Sequence, residues 1–210
     1  MKLYDYAFSS AAYRVRIALN LKGIAYDRAS IDLVKDGGQQ HSAAYRQVNP
    51  QELVPSIEID GQVLGQSLAI IEYLDECYPV PPLLPSYPMA RARVRQIALA
   101  VACDIHPINN LSARQLLKQM GHSDEEIMQQ WYTHWILKGF GALEVMLSQS
   151  KETGRFCHGD TPTLADICLV PQMANAYRFK VPVDAFPTLV RVDAVAREHP
   201  AFAAAAPEKQ

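Results

Sequence analysis

The sequence predicts an α/β domain followed by an all-helical one. Three observations carry that division. Strand and helix signals alternate up to Cys77, in the order β-α-β-α-β-β-α. A stretch at 79–88 then holds Pro79, Pro81, Pro82, Pro85 and Pro88, which neither a helix interior nor a central strand tolerates. Beyond it strand signals nearly vanish and long helical patterns take over. The expected boundaries are 1–79 for the α/β domain, 80–88 for a semi-rigid linker and 89–210 for the helical domain.

The elements follow from local chemistry. Lys2 to Tyr6 is a short β-prone run. Ala11 to Lys22 sets Val15, Ala18, Leu19 and Leu21 at helical spacing, and Gly23 stops it. Ala25 to Ile31 reads as a second strand, and a weak helix ends before Asn49-Pro50. Ser56–Ile59 and Gln62–Gly65 flank Asp60-Gly61, the two-residue pattern of a tight hairpin. Ser67 to Cys77 is a helix that Tyr78-Pro79 ends. In the second half, Met89 to about Met120 reads as one long helix with Pro107 inside it. Asp124 to about Ser150, Thr163 to Ala176 and Pro187 to His199 read as three more. Ser123 and Thr163 are expected to cap their helices, with Asp166 closing a capping box rather than serving as a catalytic acid.

Composition excludes several function classes. A formal net charge of −2 argues against nucleic acid and against an anionic membrane surface as partner. No run approaches the ~18 apolar residues of a spanning helix, and Asp5 stands where a signal peptide needs an apolar stretch. Cys77, Cys103, Cys157 and Cys168 form no CxxC pair and no metal spacing; they read as free thiols in a reducing compartment. A cytoplasmic protein is expected, with no metal.

Three short segments carry candidate chemistry. Ser9-Ser10 opens the first helix, where a hydroxyl is either a cap or part of an anion site formed by unpaired backbone N–H groups and the helix dipole. A sulfur placed there would have its thiolate favoured over its thiol. In Leu53-Val54-Pro55-Ser56 the proline holds Val54 extended at the mouth of a strand. A cis bond there would turn the Val54 backbone outward, where it could pair with an extended peptide. Gly65-Gln66-Ser67 opens the third helix; Ser67 is either a cap or, with the Gln66 amide, a grip on a carboxylate.

In order along one β-α-β-α-β-β-α unit, these segments resemble the cytosolic glutathione transferases, and among them the zeta class of maleylacetoacetate and maleylpyruvate isomerases. The matching stretches are Ser9 to Leu19, Lys35 to Gln40, Asn49-Pro50 through Val54-Pro55, and Gln66 to Leu74. In the second domain they are His106 to Ser112, Gly159 to Asp166, and Leu169 through Phe179. The resemblance implies a thioredoxin-like first domain and glutathione as the cofactor. It also implies that Ser9 donates its hydroxyl to the glutathione sulfur, with Ser10 and the Ala11 backbone beside it. Val54 would pair with the cysteinyl backbone before a cis Pro55, and Gln66 and Ser67 would hold the γ-glutamyl carboxylate. Gln40 would reach the glycyl end, while His106, Asn110 and Ser112 would close the site.

The implied reaction is cis–trans isomerisation of a conjugated diacid by reversible addition of the glutathione thiolate, in a homodimer. Arg178 is the candidate for a substrate carboxylate. Two departures from the zeta pattern flank the serines. Ala11 stands where a cysteine is usual and Phe8 where an arginine is common, which makes the site more apolar. A general transferase conjugating small electrophiles such as α-halo acids is therefore the alternative. A non-catalytic binding module is a third, against which Ser9, Gln66 and Ser67 argue. Arg14 and Arg16 read as helix ion pairs or contacts to a second subunit.

Overall fold

The computed structural model describes residues 1–210, which divide into two compact units. The first comprises Met1–Leu83 together with Glu198–Gln210, and the second Leu84–Arg197.

In the first unit a four-stranded sheet has the order β2-β1-β3-β4. Strand β1 (Lys2–Asp5) pairs in parallel with β2 (Asp27–Ser30) through Leu3 opposite Arg28, and antiparallel with β3 (Ser56–Ile59) through Leu3 opposite Ile57. The hairpin from β3 to β4 (Gln62–Gly65) turns on Asp60 and Gly61, both at positive φ (50° and 79°), the twist that a two-residue connection requires. Helices α1 (Ser10–Leu21) and α3 (Ser67–Cys77) pack together, with α2 (Ala43–Val48) following two 3₁₀ turns at Lys35–Gly37 and Gln39–His41. Leu3, Val15, Ile17, Leu19, Ile57, Ile70, Ile71 and Leu74 are fully or almost fully buried.

Arg14 and Arg16, read from the sequence as helix ion pairs or contacts to a second subunit, are buried at 1% and 0% exposure. Arg16 pairs with Asp5 on β1 at 2.6 Å, and Arg28 on β2 meets the other oxygen of Asp5 at 2.6 Å. The remaining donors of Arg16 go to backbone carbonyls, Ala7 at 2.9 Å and Ala205 at 3.0 Å. A buried charge survives only when so fully paired.

The chain's end also departs from expectation. The residues from Glu198 onward belong to the first unit rather than to the helical one. Helix α10 (Pro200–Ala205) lies on α1, burying Phe202 and Ala205 completely, and Asn20 donates to the Ala201 carbonyl at 3.0 Å. The proline stretch is tied down at its start. Lys22 bridges Asp75 and the Tyr78 and Pro81 carbonyls, and Leu83 N–H donates to Asp75 at 2.8 Å.

The second unit is all-helical. The long helix expected from Met89 to Met120 is broken in its middle. Helix α4 (Pro88–Leu99) runs into a π-helical segment at Ala100–Ile105, a 3₁₀ turn at Pro107–Asn109, and then α5 (Leu111–Gln119). The break sits where Pro107 brings no N–H, and His106 N–H bonds five residues back to Val101 at 2.9 Å. A single turn, α6 (Asp124–Glu126), passes through a second π segment at Ile127–Tyr132 into α7 (Thr133–Ser148). Gly139 on α7 lets Ile105 approach; a Cβ there would lie 2.3 Å from Ile105 Cδ1. Helices α8 (Leu164–Arg178) and α9 (Pro187–Glu198) complete the unit.

The expected caps are present. Ser123 and Glu126 form a reciprocal capping box. Asp166 accepts from Thr163 N–H and Oγ1–H, both at 2.8 Å, and from Cys157 N–H at 2.7 Å. Its role at the start of α8 is structural.

Candidate active site

Ser9 is the N-cap of α1, with extended backbone (φ −76°, ψ 117°) and Oγ accepting the Ala12 N–H at 3.2 Å. That bond uses an oxygen lone pair and leaves the hydroxyl proton to donate elsewhere. Ser10 is buried, and Ala11 follows it in the first turn, where N–H groups and dipole favour negative charge. Phe8 is 45% exposed, its ring edge-on to Tyr6 at 6.0 Å.

The Val54–Pro55 peptide is cis. The loop that carries it is fixed from both sides. Asn49 Nδ2 donates to the Leu53 carbonyl at 2.9 Å and to Ser56 Oγ at 3.1 Å, and Tyr45 O–H donates to the same carbonyl at 2.7 Å. Val54 is buried against Tyr4 and Tyr45.

At the start of α3 the cap position belongs to Gln66, not to Ser67, and Gln66 has a left-handed φ of 67°. Its amide donates to Gln51 Oε1 at 3.0 Å, and Ser67 is the first helical residue. Ser67 Oγ accepts from Arg14 Nη1 at 3.3 Å. The buried Arg14 thus places a positive charge beneath the residue expected to hold a carboxylate. Gln40 is 5% exposed, its Nε2 lying 3.0 Å from His41 Nε2 and 3.4 Å from the Leu33 carbonyl.

Within the second unit, the π segment delivers half-buried His106 at the head of the 107–109 turn. Asn110 caps α5, accepting the Leu111 N–H at 2.7 Å, and Ser112 lies in the first turn. Asn109 donates to the Tyr132 carbonyl at 3.3 Å, and Trp131 Nε1 to the Ile108 carbonyl at 2.8 Å.

One residue of this unit escaped the sequence reading. Arg114 on α5 lies over the Tyr132 ring at 5.4 Å and the Phe179 ring at 5.2 Å. Arg178, at the end of α8, lies over the same Phe179 ring at 5.2 Å. Burial is the main cause lowering the Arg114 pKa; Tyr132 opposes it and the neighbouring charge of Arg178 adds to it. Arg114 Nε is buried without a hydrogen-bond partner. Two guanidinium groups around one aromatic ring suit an anion that offers more than one carboxylate. Only the position of Arg114, four residues after the Asn110 cap, marks it in the sequence, and many surface arginines share such a position.

None of the cysteines is placed as a nucleophile by these segments. Cys157 is fully buried, and burial followed by the adjacent Asp166 pushes its thiol well above the usual range.

Residues 3–82 match the family of glutathione S-transferase N-terminal domains. A maleylacetoacetate isomerase from Pseudomonas aeruginosa is 49% identical over 211 residues, covering 100% of this chain and 97% of its own. Among solved structures, the holo form of a bacterial zeta-class maleylpyruvate isomerase superposes with a TM-score of 0.97 at 45% identity, covering 100% of this chain and 98% of its own. A maleylacetoacetate isomerase from Methylobacterium extorquens AM1, solved with bound malonate and glutathione, gives 0.96 at 41% identity, with 100% and 98% covered.

These likenesses run end to end, across the thioredoxin-like sheet unit and the helical unit alike. The chain belongs to the glutathione transferase family, in the zeta-class branch that contains these isomerases.

Proposed function

We propose that the protein isomerises maleylacetoacetate or maleylpyruvate to the trans isomer, with glutathione as a nucleophile that is returned unchanged. The observation that carries this reading is the Ser9 hydroxyl at the N-terminus of α1. Its oxygen is engaged as a cap, so its proton is the group left to meet a thiolate. The thiolate adds to the cis double bond, and the electron pair moves into the conjugated carbonyl to give an enolate. The former double bond is now single and rotates. Collapse of the enolate expels the thiolate and leaves the trans diacid.

The remaining roles follow the same logic. Ser10 and the Ala11 backbone flank the sulfur, and Val54, before Pro55, pairs with the cysteinyl backbone. Gln66 and Ser67, with the Arg14 charge behind them, hold the γ-glutamyl carboxylate, and Gln40 meets the glycyl end. His106, Asn110 and Ser112 are further contacts to glutathione. Arg178 and Arg114 take the substrate carboxylates, in keeping with the dicarboxylate malonate that accompanies glutathione in the Methylobacterium relative. With Ala11 in place of a cysteine, glutathione supplies the reacting sulfur. The reading includes a cytoplasmic homodimer that acts on small molecules and on neither nucleic acid nor membrane.

Replacing Ser9 with Ala tests the carrying observation. The absorbance of bound thiolate, followed against pH, should shift its midpoint upward by about one unit or more, with a matching fall in turnover. An unchanged midpoint would remove Ser9 from the mechanism. The exposed Phe8 favours a second activity, conjugation of less charged electrophiles such as α-halo acids. Stoichiometric loss of glutathione in the presence of an α-halo acid is its measure.

A further inference from the structure

The loop of residues 6–9 between β1 and α1, which carries Ser9, holds no glycine or proline to fix its conformation. A turn bond closes it, from Ser9 N–H to the Tyr6 carbonyl at 2.9 Å. A second hold on the loop comes from the helix that follows. Arg16 stands seven residues beyond the Ser9 cap, two turns along α1 and on the same side of it. Side chains on a helix lean toward its N-terminus, so the guanidinium reaches back to the loop.

The guanidinium divides its donors among three consecutive residues. Nη1 meets the Asp5 carboxylate at 2.6 Å and the Tyr6 carbonyl at 3.5 Å, and Nη2 donates to the Ala7 carbonyl at 2.9 Å. The Tyr6 oxygen is the one that also accepts the Ser9 N–H. On the far side Nε donates to the Ala205 carbonyl at 3.0 Å, at the end of α10, where helix carbonyls lack partners within the helix. Arg16 and Asp5 are fully buried, so the loop is held from the interior and not by a mobile surface side chain. Arg28 offers a comparison within the same cluster. It meets the other Asp5 oxygen through Nε at 2.8 Å and Nη2 at 2.6 Å, and these contacts do not reach the loop carbonyls.

We propose that Arg16 is a positioning residue for thiol activation, acting by holding residues 6–9 so that the Ser9 hydroxyl is fixed in place to meet the glutathione sulfur. The inference rests on Ser9 being the donor to that thiolate. Arg16 is shut off from solvent and meets no ligand itself. A lysine would keep a charge opposite Asp5, but its single nitrogen cannot span Asp5, Ala7 and Ala205 as a planar fork does.

The absorbance of bound thiolate, followed against pH with kinetics alongside, tests the assignment. A misplaced donor disfavours the thiolate, so Arg16→Lys should raise the midpoint by about half a unit. Below that midpoint turnover should fall about threefold, with KM for glutathione within about twofold. Only folded protein binds the thiol, so the midpoint does not depend on the folded fraction of the sample. Arg28→Lys, a like change at the same carboxylate without the loop contacts, should leave the midpoint within about 0.2 unit. In a Ser9→Ala chain the further change Arg16→Lys should add no shift, since the donor it positions is gone. An unmoved midpoint in Arg16→Lys, an equal shift in Arg28→Lys, or the same Arg16→Lys shift with and without the Ser9 hydroxyl would overturn the assignment. An unmoved midpoint in Ser9→Ala alone would overturn the Ser9 reading, and this inference with it.

Discussion

As the cap of α1, Ser9 accepts the Ala12 N–H and keeps its own proton for a partner, so the cap is compatible with the proposed donation to a thiolate. That duality explains why Ser9-Ser10, Val54-Pro55 and Gln66-Ser67 are legible in the sequence, since each is a short motif whose geometry is set by its neighbours. The arginines are not legible in that way. Arg16 is buried because Asp5 stands eleven residues earlier in the chain and the Ala205 carbonyl 189 residues later. Arg114 acquires its surroundings from Tyr132 and Phe179, on other helices or beyond their ends. For Arg114 and Arg178 the expectation is specific. Replacing either with Ala should raise KM for the diacid about tenfold or more, the worth of a charge-assisted contact, and leave KM for glutathione nearly unchanged. Kinetics with each substrate varied in turn measure both constants.

Helix starts were readable for a similar reason, because capping depends on residues within one turn. Ser123 with Glu126, and Thr163 with Asp166, close as their spacing indicates. Breaks inside helices were less readable. The apolar period from Met89 to Met120 continues through the π segment at Ala100–Ile105, since a wider turn shifts the register without removing a single apolar residue. Pro107 signals a disturbance but not its form. At the start of α8, Asp166 accepts three hydrogen bonds in full burial; burial pushes its carboxyl up, and the N–H and O–H donors pull it down. Asp166→Ala leaves two backbone N–H groups buried and unmet. It should cost about 3 kcal/mol, read as a lower urea midpoint with the slope unchanged.

On the scale of the whole chain, the alternation of strands and helices and the proline stretch led to an expected division at 79–88, whereas the placement of the residues from Glu198 onward with the first unit had no sequence signal. Residues 203–206 are an alanine run that carries no period, so nothing local announced that α10 would pack on α1. Its anchor is Phe202, which is fully buried, and Phe202→Ala should cost about 3–5 kcal/mol of the first unit's stability, measured by chemical denaturation. Net charge is equally uninformative about the substrate. In a chain at −2 a diacid would have to be met by local cations, the role proposed for Arg114 and Arg178, rather than by the overall field. The central claim is that glutathione's sulfur opens and restores the substrate's double bond. Its most direct test is to supply maleylacetoacetate and maleylpyruvate with and without glutathione, following the diacid and the free thiol together. The account predicts conversion of at least one diacid to its trans isomer, only when glutathione is present, with the thiol concentration constant. Absence of glutathione-dependent conversion of either diacid, or consumption of one thiol per turnover, would contradict it.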